Sequence, residues 1–272
     1  MALRGLDATA TRRCLDALQR QGWQPRRVAA SGPAALVLAC DPALPKPARC
    51  RDDARDEAYA LEVSADGIVL TSAGARGLFR GIQTLVQLRI QAPDLPCLRI
   101  ADWPDLPFRG QHLTLGSGHM PTLPLFKDLI DTLALFKSNT LVLEYDDRFP
   151  FERHPVLANP DALSKDEIRE LIAYAADRYI AIIPLLDSLG HAEHYLKHPG
   201  YRHLAELPGQ TAELCPSNPA TLAFIKELWS EILEVHAGCS HAHITGDEVF
   251  RLGGFCPACR PHAEAGRLGE LY

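Results

Sequence analysis

Thr140-Leu141-Val142-Leu143-Glu144-Tyr145-Asp146-Asp147 is an apolar, strand-forming run that ends in two carboxylates. Its flanks decide what kind of strand it is. Upstream, Leu123 to Lys137 sets Phe126, Leu129, Ile130 and Leu133 at helical spacing. Downstream, Lys165 to Arg178 reads as a helix opened by a capping-box pattern, Ser164 with Glu167. Further strands are expected at Arg109 to Leu115, Ile180 to Leu186 and His241 to Thr245. Another helix runs from Pro219 to His236, with Asn218 as its N-cap and proline at the first helical position. Strand and helix alternating at this spacing mean βα units and a parallel sheet.

Each of these strands runs out into polar residues: Thr114 and Ser117, Asp146 and Asp147, Asp187 and His191, Asp247 and Glu248. In a (β/α)8 barrel the C-terminal strand ends form the active site, so these four positions are expected to converge on one mouth. A full barrel takes roughly 250 residues. The expected fold class is α/β, a (β/α)8 TIM-type barrel of which residues 106–272 supply about the first four βα units, preceded by a small α+β domain over 1–105.

That first domain shows a helix from Thr11 to Gln21 ending at Gly22, and strands at Ala35 to Ala39 and Tyr59 to Val63. A hairpin turn at Asp66-Gly67 leads into Ile68-Val69-Leu70. From Ala75 to Ile90, residues Leu78, Ile82, Leu85, Val86 and Ile90 share one helical face. Prolines 93, 96, 104 and 107 then mark a boundary rather than an element interior.

The net charge of −6 and the lack of Lys/Arg clusters interleaved with aromatics exclude a nucleic-acid surface. No stretch reaches the roughly 18 apolar residues of a membrane span. The start Met1-Ala2-Leu3-Arg4-Gly5-Leu6-Asp7 has no uninterrupted apolar core, so a cytoplasmic location is expected. The eight cysteines are then expected as reduced thiols.

The chemistry concentrates in His243-Ile244-Thr245-Gly246-Asp247-Glu248-Val249. Adjacent carboxylates at a barrel mouth resist carrying two charges at once, which suits one of them to deliver a proton. The plainer reading is an acidic turn after a strand. Context favours chemistry, because three other strand ends carry polar groups toward the same mouth.

Several runs make the comparison specific: Gly77-Leu78-Phe79-Arg80-Gly81-Ile82-Gln83-Thr84-Leu85, Phe108-Arg109-Gly110, Glu144-Tyr145-Asp146-Asp147-Arg148-Phe149-Pro150, Gly190-His191-Ala192-Glu193, and His243 to Glu248. In their order and spacing the chain resembles the glycoside hydrolase family 20 β-N-acetylhexosaminidases, hexosaminidase D type. The resemblance implies removal of terminal β-linked GlcNAc or GalNAc with retention, the substrate's own 2-acetamido oxygen acting as nucleophile through an oxazolinium-like intermediate. It implies Glu248 as general acid and base and Asp247 as the group that holds and polarises the acetamide. Arg109 is implied as the grip on sugar hydroxyls, with His191 and Asp147 orienting Glu248. Thr114 stands where many family members carry Asp. The implied partner is an amino-sugar glycoside, and the reaction takes no cofactor.

Two alternatives stay open. His241 and His243 with Asp247 could hold a catalytic metal, making a metal-dependent hydrolase, or the chain could be a non-catalytic carbohydrate-binding fragment. Cys256-Pro257-Ala258-Cys259 with His262 nearby offers one CxxC pair, short of the four ligands of a structural zinc, so no metal is assigned.

Overall fold

The computed structural model describes residues 1–25, 35–92, 94–116, 118, 120–246 and 248–271. Ser117 and Asp247 lie outside the described residues. The chain forms two compact units, the first comprising 1–110 with 128–139 and 176–180, the second 111–127, 140–175 and 181–272.

The first unit carries β1 (Ala2–Arg4), α1 (Ala8–Arg20), β2 (Leu36–Cys40), β3 (Tyr59–Ser64), β4 (Gly67–Ser72), α2 (Ala75–Gln91) and β5 (Leu98–Asp102). The strands form one sheet in the order β1-β2-β4-β3-β5. β1, β2 and β4 pair in parallel, while β3 runs antiparallel to β4 and β5. Tyr59, Leu61 and Val63 alternate inward on β3 as a half-buried strand requires. The hairpin sits one residue earlier than expected. Ser64 pairs with Gly67, so the turn is Ala65-Asp66, and Gly67 at φ +132° begins β4.

Helix α2 buries Leu78, Ile82, Leu85 and Val86 almost completely. Removing one such side chain to alanine costs about 2–5 kcal/mol. Ile90, expected on the same face, is 65% exposed in the last turn. The buried Arg80 on α2 donates from Nε to Glu57 Oε2 at 2.9 Å and from Nη2 to the Tyr179 carbonyl at 3.1 Å.

The second unit holds β6 (Gly110–Thr114), α3 (Leu123–Leu135), β7 (Thr140–Glu144), α4 (Lys165–Ala176), β8 (Ala181–Leu185), α5 (Glu193–Leu196), α6 (Pro219–Val235) and α7 (Arg260–Glu264); α3 and β6 reach into the first unit's residue ranges. The strands order β6-β7-β8. β7 and β8 pair in parallel register, from Thr140 opposite Ala181 to Glu144 opposite Leu185. The expected capping box is present: Ser164 N–H donates to Glu167 Oε2 at 2.9 Å, and Glu167 N–H to Ser164 Oγ at 3.2 Å. Asn218 caps α6 by accepting from Ala220 N–H at 3.0 Å.

The fourth strand expected at His241 to Thr245 is reduced to one parallel bridge, Leu185 to His243, with bonds His243 N–H to Pro184 O at 2.9 Å and Leu186 N–H to His243 O at 3.2 Å. Ile244 beside this bridge is 65% exposed. Among the described residues no helix is long and apolar enough to cross a membrane.

Candidate active site

Beyond the C-terminal ends of β6, β7 and β8 the second unit opens a cavity of about 760 Å³, lined mainly by charged and polar side chains. β6 contributes His112 and Thr114, both hydrogen-bonded to Glu144 Oε2 of β7, at 2.6 and 2.9 Å. Gly116 follows and donates its N–H to Asp146 Oδ2 at 3.1 Å. A Cβ at position 116 would stand 2.0 Å from that oxygen, so only glycine lets the carboxylate approach.

Asp146 and Asp147 at the end of β7 part ways. Asp147, expected to orient Glu248, is ion-paired to Lys197 at 3.0 Å and Arg148 at 3.3 Å. Despite partial burial, those cations hold its carboxyl below the usual range. Asp146 is buried, and desolvation, then the charges of Glu144 and Asp187, push it up to about 7. Asp187, at the end of β8, is only 1% exposed, and burial raises it too. Its Oδ1 accepts from Thr245 Oγ1 at 2.6 Å, while Oδ2 is buried with no hydrogen-bond partner among the described residues. His194 Nδ1 lies 3.9 Å from Asp146 Oδ1, and burial pushes this imidazole down to about 4.

Glu248 also lines the cavity, with Oε2 3.6 Å from His191 Nε2. The structure thus brings His191 and Glu248 together. The Glu248 side chain is 63% exposed. Asp146, His191 and Glu248 have φ near +49°, three of the five non-glycine residues with positive φ among the described residues. Such backbone costs about 1–3 kcal/mol per residue and gathers at functional sites.

The structure places Arg109 elsewhere. It directly precedes β6, at the strand's N-terminal end, and its guanidinium is engaged within the first unit. Nη2 donates to Glu57 Oε2 at 2.7 Å, Nη1 to the Leu106 carbonyl at 2.7 Å and Nε to the Lys137 carbonyl at 3.2 Å. Nothing of it lines the cavity. His241 and His243 join no metal-ligating group among the described residues. His241 Nδ1 lies 2.9 Å from Ser240 Oγ, and His243 Nδ1 accepts from Thr245 N–H at 3.3 Å. Glu144, His194 and Lys197 were missed as cavity residues. The readable signal for His194 was its position three after His191 at the opening of a helical turn.

These elements form part of a (β/α) barrel with an acidic mouth, following an α+β domain in the sequence. The family model of the glycosyl hydrolase family 20 catalytic domain matches residues 106–268, and that of the family's domain 2 matches residues 3–103. The chain belongs to glycosyl hydrolase family 20, whose catalytic domain is a TIM barrel. Hexosaminidase D of Homo sapiens is 33% identical over 143 residues, covering 52% of this chain and 29% of its own length. A beta-hexosaminidase of Akkermansia muciniphila is 30% identical over 239 residues, covering 75% of this chain and 48% of its own. The N-acetyl-beta-hexosaminidase of Streptomyces plicatus, solved with Thio-NAglucal, superposes with a TM-score of 0.76 at 24% identity. That match covers 99% of this chain and 58% of the other. The chain spans less than half the length of the two curated relatives.

Proposed function

We propose that the cavity hydrolyses terminal β-linked GlcNAc or GalNAc by the retaining, substrate-assisted route. In this reading residues 1–105 form a non-catalytic layer and 106–272 the catalytic part. The observation that carries it is Glu248 at the cavity mouth, its carboxylate 3.6 Å from His191 Nε2. An exposed carboxyl there is open to the glycosidic oxygen of a bound sugar, to which it gives its proton, and His191 is placed to steady the carboxylate left behind. Asp247 takes the acetamide, polarising its oxygen toward the anomeric carbon and stabilising the charge that grows on nitrogen. Asp146 and Asp187, both raised by burial, cluster with His194 and supply the proton-holding carboxyls of the same site. A Streptomyces plicatus β-hexosaminidase variant, 25% identical to this chain, was solved with the product GlcNAc, which supports an amino-sugar ligand. The eight free cysteines support a reducing, cytoplasmic setting.

The test is hydrolysis of an aryl β-N-acetylglucosaminide by the wild-type chain and Glu248→Gln. A loss of about 10²–10⁴ in kcat/KM with an unchanged melting temperature is expected. Binding of GlcNAc with no turnover, indifferent to Glu248→Gln, contradicts the reading and leaves a carbohydrate-binding module.

A further inference from the structure

We propose that Cys215, Cys256, Cys259 and Glu206 form a structural zinc site that clamps the segment following Glu248. One ligand atom from each of these residues lies within 4.8 Å of every other. The Sγ atoms of Cys215 and Cys259 are 3.8 Å apart. Two sulfurs on a tetrahedral zinc, each about 2.3 Å from the metal, stand about 3.8 Å from one another. Three sulfurs and one carboxylate oxygen supply four donors of the kind zinc takes in closed sites.

The surroundings are arranged for anionic ligands. Glu206 is 2% exposed, and its Oε1 accepts from the N–H groups of Gly253 at 2.9 Å and Cys256 at 3.2 Å. Those two bonds fix the carboxylate, whose Oε2 is buried with no hydrogen-bond partner among the described residues. Ser217 Oγ lies 3.1 Å from Cys259 Sγ, where its hydroxyl can donate to a thiolate. A bound divalent cation takes the thiolate form, each thiol losing its proton on binding the metal.

The sequence offered only the Cys256/Cys259 pair and His262, which turns instead to Glu270 at 3.3 Å. The other ligands come from far upstream, Cys215 being 44 residues from Cys259 and Glu206 50 from Cys256. The clamp has a use. Residues 249–259 continue directly from Glu248, and the buried Glu213 already holds the Phe250 and Arg251 amides, at 2.6 and 3.0 Å. Zinc would fasten the far end of the same segment. The metal site stands whether or not Glu248 is the general acid, because its readout is metal content and not turnover.

The experiment is elemental analysis of the chain incubated with zinc, desalted and kept reduced. About one zinc per chain is expected, falling at least about tenfold in Cys215→Ser and Glu206→Gln and unchanged in Cys97→Ser, an exposed cysteine outside the cluster. Cobalt substitution of the wild-type chain provides a readout that no unfolded variant can confuse: an intense thiolate-to-cobalt band and tetrahedral d–d absorption. Background zinc in the wild-type chain, a cobalt spectrum without thiolate bands, or a native Cys215–Cys259 disulfide overturns the site.

Discussion

In the N-terminal unit the buried Glu57 stands between two guanidiniums, Arg80 at 2.9 Å and Arg109 at 2.7 Å. In the second unit the buried Asp146 and Asp187 crowd one another and Glu144, and neither is ion-paired to a lysine or arginine among the described residues. The first cluster compensates its charge, so its removal is felt as lost stability. The second leaves carboxylates uncompensated, so the environment raises their proton affinity. That is the condition under which a group can take and release a proton near neutrality. Burial alone therefore does not mark a functional acid. Burial without a cation does.

The largest effect that could break this contrast is Arg80→Met. It leaves Glu57 with only its partly buried partner Arg109 and should cost about 3–5 kcal/mol in chemical unfolding, with kcat/KM of the folded fraction unchanged. A loss below 1 kcal/mol would make the first cluster no more than surface decoration.

A second, smaller effect is pH-dependent. Asp146 rises from 3.8 to about 7, so between those values the folded chain holds a proton the unfolded chain has released. Its contribution to stability is therefore lost as pH rises through about 4 to 7, by at most about 1.4 kcal/mol per pH unit. His194, pushed down to about 4 from 6.5, works the other way over about 4 to 6.5, since there the unfolded chain is the one that binds the proton. The Asp146 signal is thus the difference between the urea-midpoint curves of the wild type and Asp146→Asn. That difference should slope downward with pH for the wild type, and parallel curves would remove Asp146 from the account.

The smallest effect is expected from Arg109→Lys. A lysine cannot reproduce three donations from one planar fork, so stability should fall by about 1 kcal/mol while KM for an aryl glycoside holds. A raised KM with unchanged stability would return Arg109 to the sugar.

Much of this was legible in the sequence where pattern and burial agree. Leu141 and Leu143 of β7 and Ile182 and Ile183 of β8 are buried as their apolar runs foretold, and Asp146, Asp147 and His191 beyond them line the cavity. Caps at Ser164 and Asn218 were readable because they depend on residues at most three apart. What depends on distant partners was not. Arg109 reads alike at either end of a strand until Glu57, 52 residues away, claims it. The pairing of Asp147 with Lys197, 50 residues away, is equally invisible in the sequence. β1 is three residues long and β5 lies among prolines, so neither offers enough pattern to read. Glu144 looked like part of an apolar strand, and only the close approach of His112 and Thr114 makes it a cavity residue.

The most direct measurement sets the two clusters side by side: melting temperature and kcat/KM on an aryl β-N-acetylglucosaminide for Glu57→Gln and Asp187→Asn. Glu57→Gln is predicted to melt well below the wild type with turnover of the folded fraction intact. Asp187→Asn, whose amide oxygen can still accept from Thr245, is predicted to melt at or above the wild type and to lose about 10²-fold in kcat/KM. Equal losses of stability in both variants, or full activity in Asp187→Asn, would contradict the account.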